Sequence, residues 1–433
     1  MEDYLRSALG IAVLLCIGIA FSTNRRAINW PLIGSGIALQ IFFGLLVMKV
    51  RLVADAFHAL SRGFVIFLNF TQAGAQFLFG DLATSSGEKS LGFIFAFQIL
   101  PTVIFFSTVS AGLYYLGILQ KVVFAIAWIM AKTMRLSGAE SLAAAGNIFL
   151  GQTEAPLLVR PFVPYMTYSE LMCLMTGGMA TIAGGVLAAY VSFLGGDDPA
   201  QKALYAAHLL SASLMNAPAG IVFAKILVPE TQPENINRTL EISREHVGVN
   251  LIDALSNGAA EGLKLALNIG GMLLAFIALI AMINYLLGEL IGSFLGINSF
   301  IAQSTDGNFD KLSLEYILGQ IFRPIAFVIG VEWRDSLQVG SLLGQKTAIN
   351  EFVAYLSLAK MKNAGLLTSK SVLIATFALC GFSNFSSIAI QIGGIGSIAP
   401  NQQGNLSRLG FRALLGASLA CLMTAALAGA IAS

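Results

Sequence analysis

Two stretches of the sequence decide its fold, because each interrupts an apolar run with a polar group near its middle. Residues 137–164 read SGAESLAAAGNIFLGQTEAPLLVRPFVP, and residues 336–363 read SLQVGSLLGQKTAINEFVAYLSLAKMKN. Each half of either stretch is too short to cross a bilayer, since a spanning helix takes about 20 mainly apolar residues. We therefore predict two helical hairpins that enter the membrane and return, with non-helical backbone at their tips.

The composition places the whole chain in a membrane. Of its 433 residues 56% are hydrophobic and only 11% are charged, with a net charge of +2. An average soluble chain carries about 25% charged residues, so a soluble enzyme and a disordered chain are excluded. A net charge near zero also argues against nucleic acid as a partner. The composition predicts an all-α polytopic protein whose surroundings are the lipid bilayer.

Apolar stretches predict about eight transmembrane helices besides the hairpins. The first reads as a retained membrane helix rather than a signal peptide, and Arg25 and Arg26 after it favour an external N-terminus. Residues 51–80 mix charges with aromatics and predict an interfacial helix, whereas 229–250 predict an aqueous loop. The predicted spans are 7–22, 30–48, 93–118, 167–195, 203–228, 263–294, 371–398 and 409–432.

The order of long span, hairpin, interrupted span and span occurs twice, near 93–228 and near 263–432. Interrupted segments at corresponding places of two inverted repeats indicate the binding site of a transporter. We divide the chain into N-terminal transmembrane helices (1–50), an interfacial and scaffold part (51–136), a first hairpin and interrupted-helix repeat (137–228), a polar loop and scaffold helix (229–310) and a second hairpin and interrupted-helix repeat (311–433).

Glu154 and Glu351 are the acids that carry most information, because each falls at a predicted hairpin tip. A charge at membrane depth costs about 2.5–3.5 kcal/mol on insertion scales, so intramembrane acids are functional candidates by default. The alternative is that one or both lie at the interface or pair with Lys346 or Arg160.

Polar groups also interrupt the spans that follow the hairpins. Asn384 and Ser387 share a helical face in residues 380–387, CGFSNFSS, where the alternative role is contact between helices. In the first half, Asn147 precedes the tip, and residues 176–182, TGGMATI, interrupt the next span. Amide, hydroxyl and unwound-backbone oxygens suit Na⁺ at a broken helix, although Gly and Thr also allow close helix packing.

Five strings together resemble the concentrative nucleoside transporters, in the short form of bacterial members. They are GNIFLGQTEAPLLVRPF (146–162), NAPAG (216–220), GLKLALNIGGML (262–273), NEFVAY (350–355) and CGFSNFSSIAIQIG (380–393). The resemblance runs from about residue 90 to the end. It implies a homotrimer whose protomers each import a nucleoside such as uridine with sodium, by an elevator movement of the hairpins and interrupted helices. It implies no cofactor beyond the coupling ion and no enzymatic activity.

The resemblance also implies roles for individual residues. Gln152, Thr153 and Glu154 would contact the nucleobase. Glu351, Asn384 and Ser387 would hold the ribose hydroxyls, with Phe382 packing nearby. Sodium would be bound by Asn147, Thr181 and the backbone carbonyls of Thr176 and Ile182.

Two other functions stay open at this point. One is a proton-coupled symporter for nucleosides or another polar metabolite. The other is an intramembrane enzyme that uses Glu154 and Glu351 as acid and base, although no nucleophile, metal cluster or phosphate-binding motif accompanies them.

Overall fold

A computed structural model of the protein describes residues 2–84, 91–240 and 248–432. Within those ranges the elements are helices joined by turns, without a β-strand, so the all-α prediction is confirmed. Residues 241–247 of the predicted aqueous loop lie outside the described residues. The α-helices are α1 (Glu2–Ala20), α2 (Trp30–Met48), α3 (Arg51–Phe79), α4 (Phe95–Gln98), α5 (Leu100–Tyr115), α6 (Ile118–Met134), α7 (Gly138–Gly146), α8 (Ala155–Leu158), α9 (Tyr168–Ala180), α10 (Gly184–Gly195), α11 (Pro199–Leu227), α12 (Leu251–Tyr285), α13 (Ile297–Ser304), α14 (Leu314–Val328), α15 (Ser336–Ala348), α16 (Glu351–Asn363), α17 (Ser369–Leu379), α18 (Phe385–Ile398) and α19 (Gln403–Ala432).

Every predicted span is occupied by a helix or by a pair of helices. Seven stretches among the described residues are long and apolar enough to cross a membrane. Helix α1 and the α17–α18 pair are shorter apolar helices, and they fill the first and seventh predicted spans. Helix α3 is among the seven by length and composition. Its predicted place in the interface stays a prediction.

The second hairpin is formed by α15 and α16, two helices of 13 residues each. Asn350 ends the tip and caps α16, because its side-chain Oδ1 accepts a hydrogen bond from the Val353 N–H at 3.0 Å. The predicted range of 336–363 coincides with the observed start of α15 and end of α16.

The first hairpin is asymmetric. Helix α7 has 9 residues and begins at a capping box between Ser137 and Glu140. The α-helix of the returning arm is α8, which has 4 residues and is followed by turns and a 3₁₀-helix at Val163–Tyr165. Pro161 and Pro164 account for this difference, since proline has no N–H for a helix interior and restricts the residue before it.

The two hairpins enter from opposite ends of α11. The Lys362 ammonium at the end of α16 donates to the carbonyl of Leu194, close to where α11 begins. At the other end of α11, Lys225 forms an ion pair with Glu140 at the start of α7. Helix α11 has 29 residues and is therefore about 44 Å long, more than a bilayer core. The hairpins thus have inverted orientations.

Both spans that follow the hairpins are broken near their middle. Helix α9 ends at Ala180, and Thr181 is extended before α10 begins at Gly184. Helices α17 and α18 are separated at residues 380–384, where Gly381 has a φ of +154°. A Cβ at Gly381 would lie 2.7 Å from the carbonyl oxygen of Ala180, so glycine is required where the two breaks meet.

The sequence did not indicate α6 and α14 as separate elements. Each lies directly before a hairpin, so the two halves share the order of helix, hairpin, broken span and span. Helices α14 and α15 approach closely, because a Cβ at Gly340 would lie 2.6 Å from the carbonyl oxygen of Gly319.

Candidate functional site

Glu351 is the first residue of α16, and its carboxylate is bonded from two other helices. The Tyr190 hydroxyl on α10 donates to Oε1 at 2.9 Å, and Asn384 Nδ2 donates to Oε2 at 2.9 Å. Only 2% of Glu351 is exposed. The acid at the tip of the second hairpin therefore lies in a polar site between the two broken spans, rather than at the interface.

Asn384 holds that site in place because it also caps α18. Its side-chain Oδ1 accepts from the Ser387 N–H at 2.9 Å and from the Ser386 hydroxyl at 2.7 Å. With its oxygen committed to the cap, its Nδ2 points to Glu351. One amide thus ends the break and orients the acid.

Gln152 connects the tip of the first hairpin to the same helix. Its Nε2 donates to the Ser387 hydroxyl at 3.1 Å, and its Oε1 accepts from Gln391 Nε2 at 3.2 Å. Gln391 Nε2 also lies 3.1 Å from the carbonyl oxygen of Met175. Both hairpin tips therefore meet α18, one turn apart.

Three of the predicted residues lie around this cluster without bonding to it through their side chains. Thr153 and Glu154 are exposed at the first tip, where Glu154 Oε2 accepts from the Gly151 N–H at 3.1 Å. Phe382 is half-buried, and its N–H donates to the carbonyl of Thr181 at 3.3 Å. Glu154 and Glu351 thus have different surroundings, one open and one enclosed.

The predicted sodium ligands lie along the last turns of α9 and in the break that follows it. Asn147 is 1% exposed, and neither its Nδ2 nor its Oδ1 has a hydrogen-bond partner. It faces α9, since a Cβ at Gly177 would lie 3.2 Å from Asn147 Nδ2. Thr181 and Ile182 lie in the break, and the Thr181 hydroxyl donates to the Gly177 carbonyl at 3.0 Å. An unpartnered buried amide beside a helix end fits an oxygen-seeking cation.

The side chain of Thr176 points away from this place, whereas the predicted role belongs to its backbone carbonyl. Helix α9 continues through residues 176–180, so the predicted interruption begins only at Thr181. The Thr176 hydroxyl faces α19, where a Cβ at Gly416 would lie 3.4 Å from Thr176 Oγ1. Gly178 does not break the helix but allows close contact, because a Cβ there would lie 2.6 Å from Gln391 Nε2.

The sequence reasoning missed Asn216, although it lies in the NAPAG string. Its Nδ2 on α11 donates to the carbonyls of Ala180 and Cys380, both at 2.8 Å. The Cys421 thiol on α19 contacts the same carbonyls at 3.4 and 3.2 Å. The Asn216 amide and the Cys421 thiol therefore both connect the two broken spans at their breaks.

Tyr190 and Gln391 were missed as well. Both lie in ordinary apolar runs, and Tyr190 stacks on Tyr355 with ring centroids 4.4 Å apart. Their partners are distant in sequence: 161 residues separate Tyr190 from Glu351, and 239 separate Gln391 from Gln152. No local pattern could have identified them.

Comparisons with known proteins agree on one family. The sequence matches "Na+ dependent nucleoside transporter N-terminus" over residues 9–82, "Nucleoside recognition" over 96–197 and "Na+ dependent nucleoside transporter C-terminus" over 208–429.

The relatives include bacterial and mammalian transporters. An uncharacterized transporter of Haemophilus influenzae is 41% identical, over 98% of this chain and 97% of its own length. Solute carrier family 28 member 3 of mouse is 41% identical over 97% of this chain. Sodium/nucleoside cotransporter 1 of rat is 38% identical over 99% of it. This chain spans only 58% and 64% of those two mammalian proteins.

Solved structures of the transporter CNTnw have the same fold. Its inward-facing substrate-bound state superposes with a TM-score of 0.88 at 39% identity and covers 100% of both chains. An outward-facing state of a variant gives a TM-score of 0.85 at 39% identity, over 99% of this chain and 97% of that one.

Proposed function

The chain belongs to the Na⁺ dependent nucleoside transporter family, and from that premise we propose that it imports nucleosides by sodium symport. It is a multi-pass protein of the cell inner membrane, and its relatives are transporters rather than enzymes. The observation that carries the proposal is the enclosed polar cluster of Glu351, Asn384, Ser387 and Gln152, built from both hairpin tips and one helix break.

The substrate site is proposed around that cluster. A ribose presents neighbouring hydroxyl donors, and the Glu351 carboxylate has lone pairs beyond the two that Tyr190 and Asn384 use. Asn384 and Ser387 would complete the ribose contacts, with Phe382 nearby. A nucleobase would be met by Gln152, Thr153 and Glu154 of the first tip. Charge-assisted hydrogen bonds to Glu351 are the strongest in this set.

The sodium site is proposed at the first break. Asn147 Oδ1 has no partner, Thr181 has acceptor capacity left, and Ile182 is buried in the break beside them. The C-terminal end of α9 adds partial negative charge there. Thr176 would contribute through its carbonyl, as the family resemblance implies. Sodium carries the driving force: one charge moving through 100 mV yields about 2.3 kcal/mol, which is sufficient for roughly 50-fold accumulation.

An elevator movement is supported by the way the halves are joined. Asn216 bonds both breaks, so the repeats at 137–228 and 311–433 would move as one transport domain. The remainder, 1–50, 51–136 and 229–310, would form the N-terminal helices and the scaffold. A cavity of about 680 Å³ lies between α3 and the ends of α10 and α16, at this boundary.

We also propose that the scaffold forms a homotrimer. Helix α12 is 35 residues long and carries exposed apolar side chains beyond its contact with α5. Those side chains are Leu263, Leu267, Leu274, Ile277, Leu279 and Met282. Cross-linking in lipid nanodiscs followed by mass measurement would test this assembly, and a protein that stays monomeric would contradict it.

The deciding experiment is uptake of labelled uridine into proteoliposomes with an inward sodium gradient. Sodium symport predicts accumulation that disappears when choline replaces sodium at fixed pH. Accumulation that persists in choline and follows an imposed proton gradient would favour the proton-coupled alternative. Absence of accumulation under both gradients, for uridine and for purine nucleosides, would contradict the proposal.

A further inference from the structure

Lys346 is a buried cation whose role the transport site does not explain. It lies in the last turn of α15, is 3% exposed, and its ammonium donates to the carbonyl of Ala378 at 2.8 Å. A lysine at membrane depth is costly unless its charge is compensated. Ala378 belongs to the last turn of α17, whose free carbonyls carry partial negative charge. The end of a broken helix thus holds a cation that is part of the chain.

The corresponding place in the first repeat holds Asn147. The two bonds of Asn216 define the correspondence, because they end on Ala180, the last residue of α9, and on Cys380, the residue that follows α17. Asn147 follows the first arm of the first hairpin and contacts α9 at Gly177, three residues before Ala180. Lys346 lies in the last turn of the first arm of the second hairpin and contacts α17 two residues before Cys380.

We propose that the Lys346 ammonium is a tethered cation, which occupies in the second repeat the position that the coupling sodium takes in the first. The inference rests on the proposed sodium site at Asn147. A second sodium ion would have to displace an ammonium of equal charge that already bonds the Ala378 carbonyl. One sodium ion per nucleoside follows, although the fold provides two equivalent helix ends.

The position of Lys346 also concerns the substrate acid. It lies five residues before Glu351 in the same hairpin. The tethered cation therefore balances the charge that Glu351 brings into the membrane, whereas the first repeat obtains its cation from solution. Each repeat would thus contribute one positive charge, but only the first would release it.

The test replaces the tethered cation by the side chain of the other repeat. In Lys346→Asn, we expect a second sodium ion to bind: the Hill coefficient for sodium rises from about 1 towards 2, and about two charges enter per uridine. The matched control is Lys360→Asn, on the exposed part of the same hairpin, which should keep the one-ion behaviour of the wild type. Lys346→Arg keeps the positive charge and should also keep the one-ion behaviour.

If Lys346→Asn folds but does not transport, its sodium binding can still be measured by thermal unfolding. The melting temperature of Lys346→Asn without nucleoside should rise more steeply with sodium than that of the wild type and the Lys360 control. Two results would refute this inference alone, provided that the wild type depends on sodium. One is an unchanged one-ion response in Lys346→Asn, and the other is a two-ion response in Lys346→Arg. If neither the uptake nor the melting temperature of the wild type depends on sodium, the symport proposal is refuted, and this inference with it.

Discussion

The Tyr190 hydroxyl donates a hydrogen bond to Glu351 Oε1 across the interface between α10 and α16, at 2.9 Å. The second broken span supplies the other donor, Asn384, to Oε2. The acid is therefore fixed by one residue from each repeat before any substrate binds. Its orientation depends on the relative placement of the two repeats, which makes it a sensitive point for substitution.

Glu351→Gln should abolish uridine uptake. The amide keeps the size of the side chain but offers one acceptor oxygen instead of two and carries no charge. Hydrogen bonds to a charged group contribute about 1.5–3 kcal/mol each, so losing two of them predicts a drop of at least 100-fold in uptake efficiency. Initial rates in proteoliposomes at matched protein content measure this. Glu332→Gln, on a half-buried acid that pairs with Arg334, is the control. Normal uptake by Glu351→Gln would contradict the assignment of Glu351 to the ribose.

Tyr190→Phe should raise the KM for uridine by about 10-fold, with a smaller effect on the maximal rate, because one donor to Glu351 is lost. The ring keeps its stacking on Tyr355, so the fold should remain. Tyr355→Phe is the matched control, since its hydroxyl donates to the Thr376 carbonyl rather than to the acid. Equal changes in KM for the two variants would show that Tyr190 acts through packing alone.

Asn147→Ala should raise the sodium concentration for half-maximal uptake by about 10-fold, since a buried oxygen near the ion is lost. The uridine KM at saturating sodium should change little, because the Asn147 side chain makes no hydrogen bond to the polar cluster at Glu351. Uptake is measured across a sodium series with choline as the balancing cation. Asn363→Ala, on an exposed asparagine, serves as the control. An unchanged sodium response would remove Asn147 from the ion site.

Asn216→Leu should destabilise the protein by about 2 kcal/mol, because the buried carbonyls of Ala180 and Cys380 lose the amide that they share and keep only the weaker Cys421 thiol. Thermal unfolding in detergent measures the loss. Ser213→Ala removes only a weak 3.8 Å contact with Cys380 Sγ one turn earlier on α11 and should cost much less. Similar melting temperatures for both variants would show that Asn216 does not hold the breaks together.

Short local signals explain why the second hairpin could be predicted to its observed ends. Asn350 has the side chain of a helix cap, and Glu351 follows it at the start of an apolar helix. The first hairpin was predicted less well. Its returning arm consists of turns after α8, because the prolines at 161 and 164 outweigh the apolar content of the segment. Pattern reasoning found where the chain turns but not how much of the arm is helical.

Site residues could be predicted where their partners are close in sequence, and could not be predicted where their partners are distant in sequence. Asn384 and Ser387 share one helix turn, so their proximity follows from sequence spacing. Tyr190 and Asn216 acquire their roles only when three or four helices pack together, which no window of sequence contains. At residues 176–180 the sequence predicted an interruption that the structure does not have. The glycines at 177 and 178 suggested a break, yet glycine costs a helix only about 1 kcal/mol and here permits close packing.

The bond between Gln152 and Ser387 has a consequence for the timing of synthesis. Its two partners are 235 residues apart in the chain. At the usual 5–20 residues per second, the first hairpin tip waits roughly 10 to 50 s for its partner to leave the ribosome. During that interval its polar tip must be shielded by the insertion machinery or remain outside the membrane. Ribosome stalling before residue 387 should therefore expose the first hairpin to protease, and completion of the chain should protect it.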